Sequence, residues 1–279
     1  MRTMRRTYQA FFLLLFIALF WLTAQGRLKG HAVTLFLDSS ALNGLGTILS
    51  AGNLAGLMWI GLLVLALTLF FGRFFCGWIC PMGTVLHGLS FLARRRRTRE
   101  RIRRNLYDRR QVFKTVLLVA LLTGAALGVM KVGWFDPIAL LTRSAAALFV
   151  PGMRFAWITL VVFFVILGLN LVRPRFWCRY LCPLGALLGV AARFLPGGVV
   201  RDEETCTNCG LCSRDCPAAC NPHEKTRMAE CFVCWNCIED CPEHALSWRW
   251  NAPREKVVRE TGLTRRGFFT AAAGGAAAA

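Results

Sequence analysis

Four long apolar stretches interrupt the polar parts of the chain, and each approaches the length that a helix needs to cross a bilayer. They cover residues 8–25, 54–71, 112–130 and 155–172. A membrane-spanning helix needs roughly 20 consecutive apolar residues. The pattern predicts an all-α membrane bundle of four transmembrane helices over residues 1–195. Lys114, near the start of the third stretch, is expected to extend its ammonium group to the membrane surface.

The second and fourth apolar stretches are each followed by the same short motif. RFFCGWICPMG covers residues 73–83, and RFWCRYLCPLG covers residues 175–185. Both copies contain C-x3-C-P, which supplies Cys76, Cys80, Cys178 and Cys182. The four predicted spans therefore form two repeated hairpins, related by an axis along the membrane normal.

The basic charge of the chain belongs to its apolar part. The formal net charge is +19, yet residues 201–250 hold five Lys or Arg against nine Asp or Glu. Lys and Arg are concentrated at the N-terminus and in residues 94–114. The positive-inside rule then predicts a multi-pass protein of the bacterial inner membrane whose N-terminus is cytoplasmic. This distribution reports topology, and it argues against nucleic-acid binding.

A second cysteine pattern fills residues 206–242. CTNCGLCSRDCP and CFVCWNCIEDCP are each C-x2-C-x2-C-x3-C-P, the run with which bacterial ferredoxins hold [4Fe–4S] clusters. By the usual crossover, one cluster is held by Cys206, Cys209, Cys212 and Cys241, and the other by Cys231, Cys234, Cys237 and Cys216. Zinc also takes four thiolates, but it does not require two copies of this spacing with proline. Residues 196–250 are thus predicted to be a cytoplasmic, ferredoxin-like module with two [4Fe–4S] clusters.

The other five cysteines allow several interpretations. Cys220 has no place in either cluster motif, and it is either a small buried hydrophobe or a substitute ligand. Each C-x3-C-P pair lacks the first two cysteines of the ferredoxin motif, so neither pair alone fills four cluster corners. The two pairs together could hold a further iron–sulfur centre, relay electrons as dithiols, or simply be proline-capped helix ends that pack together.

Asp136 is the candidate proton acceptor for a quinol. It follows Trp134 and Phe135 at the outer end of the third apolar stretch. The alternative is an aromatic belt at the membrane interface with an aspartate that caps a turn. The four histidines are too few and too scattered to ligate a haem.

The order of these motifs over residues 1–250 resembles the NapH/MauN family of membrane ferredoxins, to which NosR-type and RdxA/CcoG-type proteins are related. The resemblance implies a membrane-bound iron–sulfur subunit of a quinol dehydrogenase, with the twelve motif cysteines as redox positions. Its implied partners are lipid, quinol, a NapG-like ferredoxin and a periplasmic reductase or cytochrome. A redox factor for metalloenzyme maturation, as in the RdxA/CcoG group, is the alternative, and the cluster motifs do not separate the two.

Residues 251–279 form a tail with a motif of its own. TRRGFF at residues 264–269 resembles a twin-arginine export signal, and an Ala/Gly run follows it. This predicts a NapG-like ferredoxin fused after residue 279. The alternative is a disordered basic tail.

Overall fold

Helices dominate residues 1–195 in the computed structural model of the chain. The structure describes residues 1–25, 31–52, 58–92, 98–149, 156–253, 256–258 and 264–278. The helices of this part are α1 (Arg2–Ala24), α2 (His31–Asp38), α3 (Ala41–Ala51), α4 (Trp59–Phe71), α5 (Phe74–Trp78), α6 (Pro81–Leu92), α7 (Thr98–Arg104), α8 (Phe113–Ala126), α9 (Val132–Phe135), α10 (Pro137–Phe149), α11 (Ala156–Val172) and α12 (Pro183–Ala192). A 3₁₀ turn at Arg109–Val112 precedes α8, and a π-helical turn at Trp177–Leu181 precedes α12.

The prediction of a bundle of four transmembrane helices is wrong. Within the described ranges, α1 alone is long and apolar enough to cross a membrane. The other predicted spans contain α4, α8 and α11, of 13, 14 and 17 residues. At 1.5 Å per residue these rise about 20–26 Å, less than the roughly 30 Å of a hydrocarbon core.

A glycine inside one apolar run explains why that run gave a short helix. Gly128 has a φ of 90° and follows α8 within residues 112–130, whereas Gly72, with a φ of 63°, follows α4 at the predicted end of its run. The starts of the second and fourth predicted spans, residues 54–57 and Phe155, lie outside the described residues. Part of the charge count behind the predicted orientation, Arg27, Lys29, residues 94–97 and Arg154, lies outside them as well.

Residues 196–258 add two small sheets and two short helices. Strand β1 (Gly198–Arg201) pairs antiparallel with β3 (Leu246–Arg249), so that Gly198 faces Arg249. Strand β2 (Thr226–Arg227) pairs in parallel with β4 (Val257–Val258). Helices α13 (Leu211–Arg214) and α14 (Asn236–Glu239) begin within the two cysteine motifs and contain Cys212 and Cys237. We call residues 196–250 the ferredoxin module.

The module packs directly on the helical part, and two glycines allow the approach. A Cβ on Gly77 would lie 2.8 Å from the carbonyl oxygen of Phe232. A Cβ on Gly189 would lie 2.6 Å from the carbonyl oxygen of Ala229. Both distances are shorter than carbon and oxygen tolerate, so a side chain at either position forces the two surfaces apart.

The tail forms a fifteenth helix, α15 (Arg265–Ala277), that lies along α8. A Cβ on Gly275 would lie 2.3 Å from the carbonyl oxygen of Ala120, and Lys131 Nζ donates to the Ala278 carbonyl at 2.7 Å. Small residues permit such close contact between apolar helices. The twin-arginine motif opens this helix, with the Thr264 hydroxyl accepting from the Gly267 amide. Its use as an export signal remains a prediction.

Gly77→Ala should loosen the contact between the module and the helical part. The added methyl group meets the Phe232 carbonyl, and such overpacking costs about 1–3 kcal/mol. We expect a lower thermal unfolding midpoint for the purified protein in detergent. Gly88→Ala is the matched control, because a Cβ there meets nothing within 4 Å. Equal midpoints for the two variants would contradict the packing described here.

Candidate iron–sulfur sites

The two cysteine loops of the module share one unusual backbone course. Three equivalent positions in each copy have positive φ. They are the second and fourth residues after the first cysteine and the third residue after the last cysteine. These residues are Asn208 (55°), Gly210 (70°) and Ala219 (56°) in the first copy, and Val233 (49°), Trp235 (53°) and His244 (49°) in the second. A β-branched residue such as Val233 rarely adopts this conformation, and strain of this kind is typical of functional sites. The loops are thus two copies of one structural unit.

The first predicted ligand set surrounds one small cavity. Its wall contains all four of the set's cysteines, Cys206, Cys209, Cys212 and Cys241. His223 also lines this cavity, and its Nδ1 lies 2.9 Å from the Ser213 hydroxyl. Cys209 is exposed, so this site reaches the protein surface.

The second predicted set is buried. Cys216, Cys231 and Cys234 each expose 8% or less of their surface, as does Cys237, and all four interact electrostatically. Across the described residues, no three His, Cys, Asp or Glu side chains are close enough to hold a single metal ion. The structure thus gathers the predicted sets into two places, one at the surface and one inside.

Cys220 belongs to this buried site. Its Sγ lies 3.5 Å from the Sγ of Cys216, and it also contacts Cys231. The hydrogen bond between the two sulfurs lowers the pKa of Cys216, which favours the thiolate that binds iron. Sequence reasoning gave Cys220 no partner, because its distance from the other cysteines depends on the fold of residues 217–230.

The two C-x3-C-P pairs also come together. All four cysteines are buried within one apolar core that also contains Cys216, Cys231 and Phe232. Each pair affects the other electrostatically. In the second copy, the Gly185 amide donates to the Cys182 sulfur at 3.2 Å. Pro81 and Pro183 begin the helices that follow the pairs, a position that proline favours.

Two buried arginines connect these pairs to the module. Arg73 and Arg175 stand three residues before the first cysteine of each pair, and both are 0% exposed. The guanidinium carbon of each lies 4.9 Å from the centre of the Phe232 ring. Arg175 also donates to the Cys76 carbonyl at 3.3 Å. We call Arg73, Arg175 and Phe232 the arginine clamp.

An acidic residue completes the contact. Glu230 accepts from Arg73 at 3.1 Å and from Lys114, and Arg73 also donates to the Ala229 carbonyl at 2.9 Å. Lys114 is 2% exposed, so the expectation that it reaches the membrane surface is wrong. A buried carboxylate offsets the free-energy cost of burying these cations. Sequence spacing alone does not reveal that Glu230 meets Arg73 and Lys114.

Buried donors beside the cysteines fit an anionic group. The Arg73 and Arg175 Nε and Nη2 atoms, and the Arg5 Nε and Nη1 atoms, have no hydrogen-bond partner among the described residues. Arg5 is close enough to Cys234 for the two to interact electrostatically. An iron–sulfur core bound by four thiolates has a net negative charge, because the thiolates carry more negative charge than the core carries positive charge. Nearby cations therefore stabilise the assembly. The donor set and its surroundings therefore suit iron–sulfur clusters.

Asp136 lies at the start of α10 and interacts electrostatically with Cys80. Its carboxylate accepts from the Ile138 amide at 2.9 Å, the Ala139 amide at 3.1 Å and the Ser40 hydroxyl. Burial raises the pKa of Asp136, while these hydrogen bonds act in the opposite direction. The structure shows a helix cap, and a role in quinol oxidation remains a prediction.

Comparisons with known proteins give these sites a context. The family described as "4Fe-4S binding domain" matches twice, at residues 53–100 and 155–200, each match containing one C-x3-C-P pair. An uncharacterised protein of Methanocaldococcus jannaschii is 30% identical over 66% of this chain and 68% of its own length. The ferredoxin-type protein NapH of Haemophilus influenzae is 30% identical over 79% of this chain and 80% of its own. The methylamine utilization ferredoxin-type protein MauN of Paracoccus denitrificans is 32% identical over 62% and 56%. No solved structure matches the chain significantly.

Single substitutions should empty the two module sites independently. Cys209→Ala removes a thiolate of the surface site, and Cys234→Ala removes one of the buried site. Each variant, purified without oxygen, should lose about four of the roughly eight irons that two such clusters contain. Iron analysis and electron paramagnetic resonance provide the measurement. If the module of the parent protein holds fewer than four irons, the two-cluster assignment is wrong.

Cys220→Ala should leave the iron content unchanged and lower the midpoint potential of the buried cluster. Hydrogen bonds to ligand sulfurs help to set cluster potentials, and this substitution removes one. A redox titration followed by electron paramagnetic resonance measures both clusters, so the surface cluster is the internal control. A loss of about four irons would instead make Cys220 a ligand.

Proposed function

The chain belongs to the NapH/MauN-type family of ferredoxin-type proteins, and on that premise we propose that it takes electrons from quinol in the bacterial inner membrane. It is an iron–sulfur protein of electron transport, and it carries [4Fe–4S] clusters. In the proposed role it is a subunit of a quinol dehydrogenase and supplies a periplasmic reductase system. A NapG-like ferredoxin is the proposed partner.

One observation carries this proposal, the arginine clamp between the paired C-x3-C-P motifs and the buried cysteine loop. Arg73 and Arg175 come from the two repeats, and Phe232 comes from the loop between Cys231 and Cys234. The sites therefore follow in order from the paired motifs to the buried set, and then to the set that contains exposed Cys209. That order suits a relay from a membrane donor to a soluble acceptor.

Residues of the chain perform the tasks that such a relay needs. A [4Fe–4S] cluster, when bound, supplies a one-electron carrier. Arg73 and Arg175 place positive charge where an arriving electron adds negative charge. Glu230 holds Arg73 and Lys114 in position through buried ion pairs. Burial of these groups excludes water from the path.

The two C-x3-C-P pairs are proposed to share a further iron–sulfur centre. Four buried cysteines from two equivalent repeats supply the number of thiolates that one cluster needs. A Cβ added to Gly185 would lie 2.7 Å from Arg73 Nη2 and 3.5 Å from Cys182 Sγ. The Arg73 guanidinium is therefore beside the second cysteine pair. Paired dithiols are the alternative, and an iron count separates the two.

The membrane location rests on α1 and on exposed apolar side chains. On α4, Phe70 and Phe71 are 63% and 57% exposed, and on α11 Phe164 is 56% exposed. Contiguous exposed apolar surface of this kind is typical of protein in contact with lipid or a partner. An ion pair between the Met1 amine and Glu239, at 2.7 Å, joins the N-terminus to the module. Both are therefore proposed to lie on the cytoplasmic side.

Cys80→Ser should separate electron entry from cluster assembly in the module. In this variant, we expect that decylubiquinol no longer reduces the module clusters. Their iron content and their spectra after reduction with dithionite should match those of the parent protein. Stopped-flow absorbance and electron paramagnetic resonance measure this without oxygen. Thr84→Ser is the control, because it keeps the hydroxyl that donates to the Cys80 carbonyl at 3.2 Å.

Two outcomes would contradict the proposal. Normal reduction of the module clusters in Cys80→Ser would return the paired cysteines to a packing role. Two results together would favour the maturation factor. Quinol would not reduce the parent protein, and deletion of its gene would leave another enzyme without its metal.

A further inference from the structure

An apolar groove lies beside the buried cysteine site. Its cavity volume is about 650 Å³, within the range of small-molecule sites. One wall is α4 with Leu67 and Phe71, and a second is the start of α1 with Tyr8. The third wall comes from the module and includes Val233 and Trp235.

A row of aromatic rings lines this aromatic groove. Ring centres are 6.0 Å apart for Tyr8 and Trp78, 5.8 Å for Trp78 and Trp235, and 6.4 Å for Trp235 and Trp248. Trp78 is held in place because its Nε1 donates to the Val233 carbonyl at 3.2 Å. Amphipathic rings of this kind prefer the membrane–water interface, and they stack on planar ligands.

The groove touches the loop that holds the buried cysteines. Val233 and Trp235 are the chain neighbours of Cys234, one on each side. Arg5, on the same helix as Tyr8, is 1% exposed and interacts electrostatically with Cys234. A molecule in the groove therefore lies against the residues that flank Cys234.

We propose that the aromatic groove binds the ring of an isoprenoid quinol, an inference that rests on the proposed function. The planar ring lies among the tryptophans next to Cys234, and the isoprenoid tail runs along exposed apolar residues of α4. A phospholipid has no planar group to match the aromatic row, and it gains nothing from contact with a redox loop.

The reaction at this site balances as a two-electron oxidation. The quinol loses two electrons and two protons and becomes a quinone. The electrons enter through the C-x3-C-P cysteines, because Phe75 and Ile79, the chain neighbours of Cys76 and Cys80, also line the groove. Two oxidised [4Fe–4S] clusters of the module then take one electron each, and the protons pass to water at the open side of the groove. This site lies on the module's side of the protein, whereas Asp136 was predicted at the outer end of the third apolar stretch.

Photolabelling tests the site without reference to activity. The probe is a photoreactive azidoquinone, applied to the full-length protein in detergent, with decylubiquinone as competitor. We expect labelled peptides from α4 and from residues 233–250, and labelling that the competitor suppresses. Labelling confined to residues 134–139, around Asp136, would overturn the proposal. The proposal would also be overturned if only a photoreactive phospholipid labelled the groove and decylubiquinone did not displace it.

A matched pair of variants on α4 completes the test. Leu67→Trp fills the groove, whereas Leu63→Trp makes the same change one turn earlier, outside the lining residues. The two leucines are 45% and 47% exposed, so both variants should fold. We expect at least about a tenfold loss of labelling and of cluster reduction by decylubiquinol in Leu67→Trp alone.

The comparison also separates this inference from the function on which it rests. A parent protein that decylubiquinol does not reduce contradicts the proposed function. A parent protein that it does reduce, together with a Leu67→Trp variant that behaves like Leu63→Trp, contradicts the groove only.

Discussion

Buried positive charge is the constraint around which this protein is arranged. Arg73, Arg175 and Lys114 are removed from water at the contact between the repeats and the module. Burying a cation costs several kcal/mol unless an anion and hydrogen bonds compensate it. Glu230 supplies one carboxylate for two of these cations. The remaining compensation must come from the thiolate sites, which ties the stability of this contact to the presence of the clusters.

The same arrangement separates the two module sites by environment. The buried set, with Cys234, faces the cations and the repeats, and the set with Cys209 faces the surface. Reduction potentials depend on charge, hydrogen bonding and solvent exposure, so clusters at two motifs of one spacing would acquire different potentials from their surroundings. In the proposed relay, this difference would give electron flow a direction without any difference in ligand type.

Local features of this fold were visible in the sequence, and contacts between distant segments were not. The two proposed ligand sets came from the spacing of the module cysteines, because seven consecutive residues of each loop contain three cysteines. The role of Arg73 depends on Phe232, which is far away in the chain, and no local pattern reports that contact. Apolar run length overestimated the third helix because it ignores the positive-φ glycine Gly128 inside the run. Asp136 shows the same limit, because its capping bonds depend on where α10 begins.

The two repeats hold the module through different residues at equivalent positions. In the first repeat, Gly77 follows the first cysteine and admits the Phe232 carbonyl. In the second, Arg179 takes that position and donates to the carbonyls of Pro217 at 3.1 Å and Cys216 at 3.2 Å. One repeat therefore contacts the buried cysteine loop, and the other contacts the distant cysteine that completes the same predicted ligand set. Because both contacts converge on one site, the asymmetry between Gly77 and Arg179 fixes which of the module's two sites faces the helical part and leaves the other at the surface.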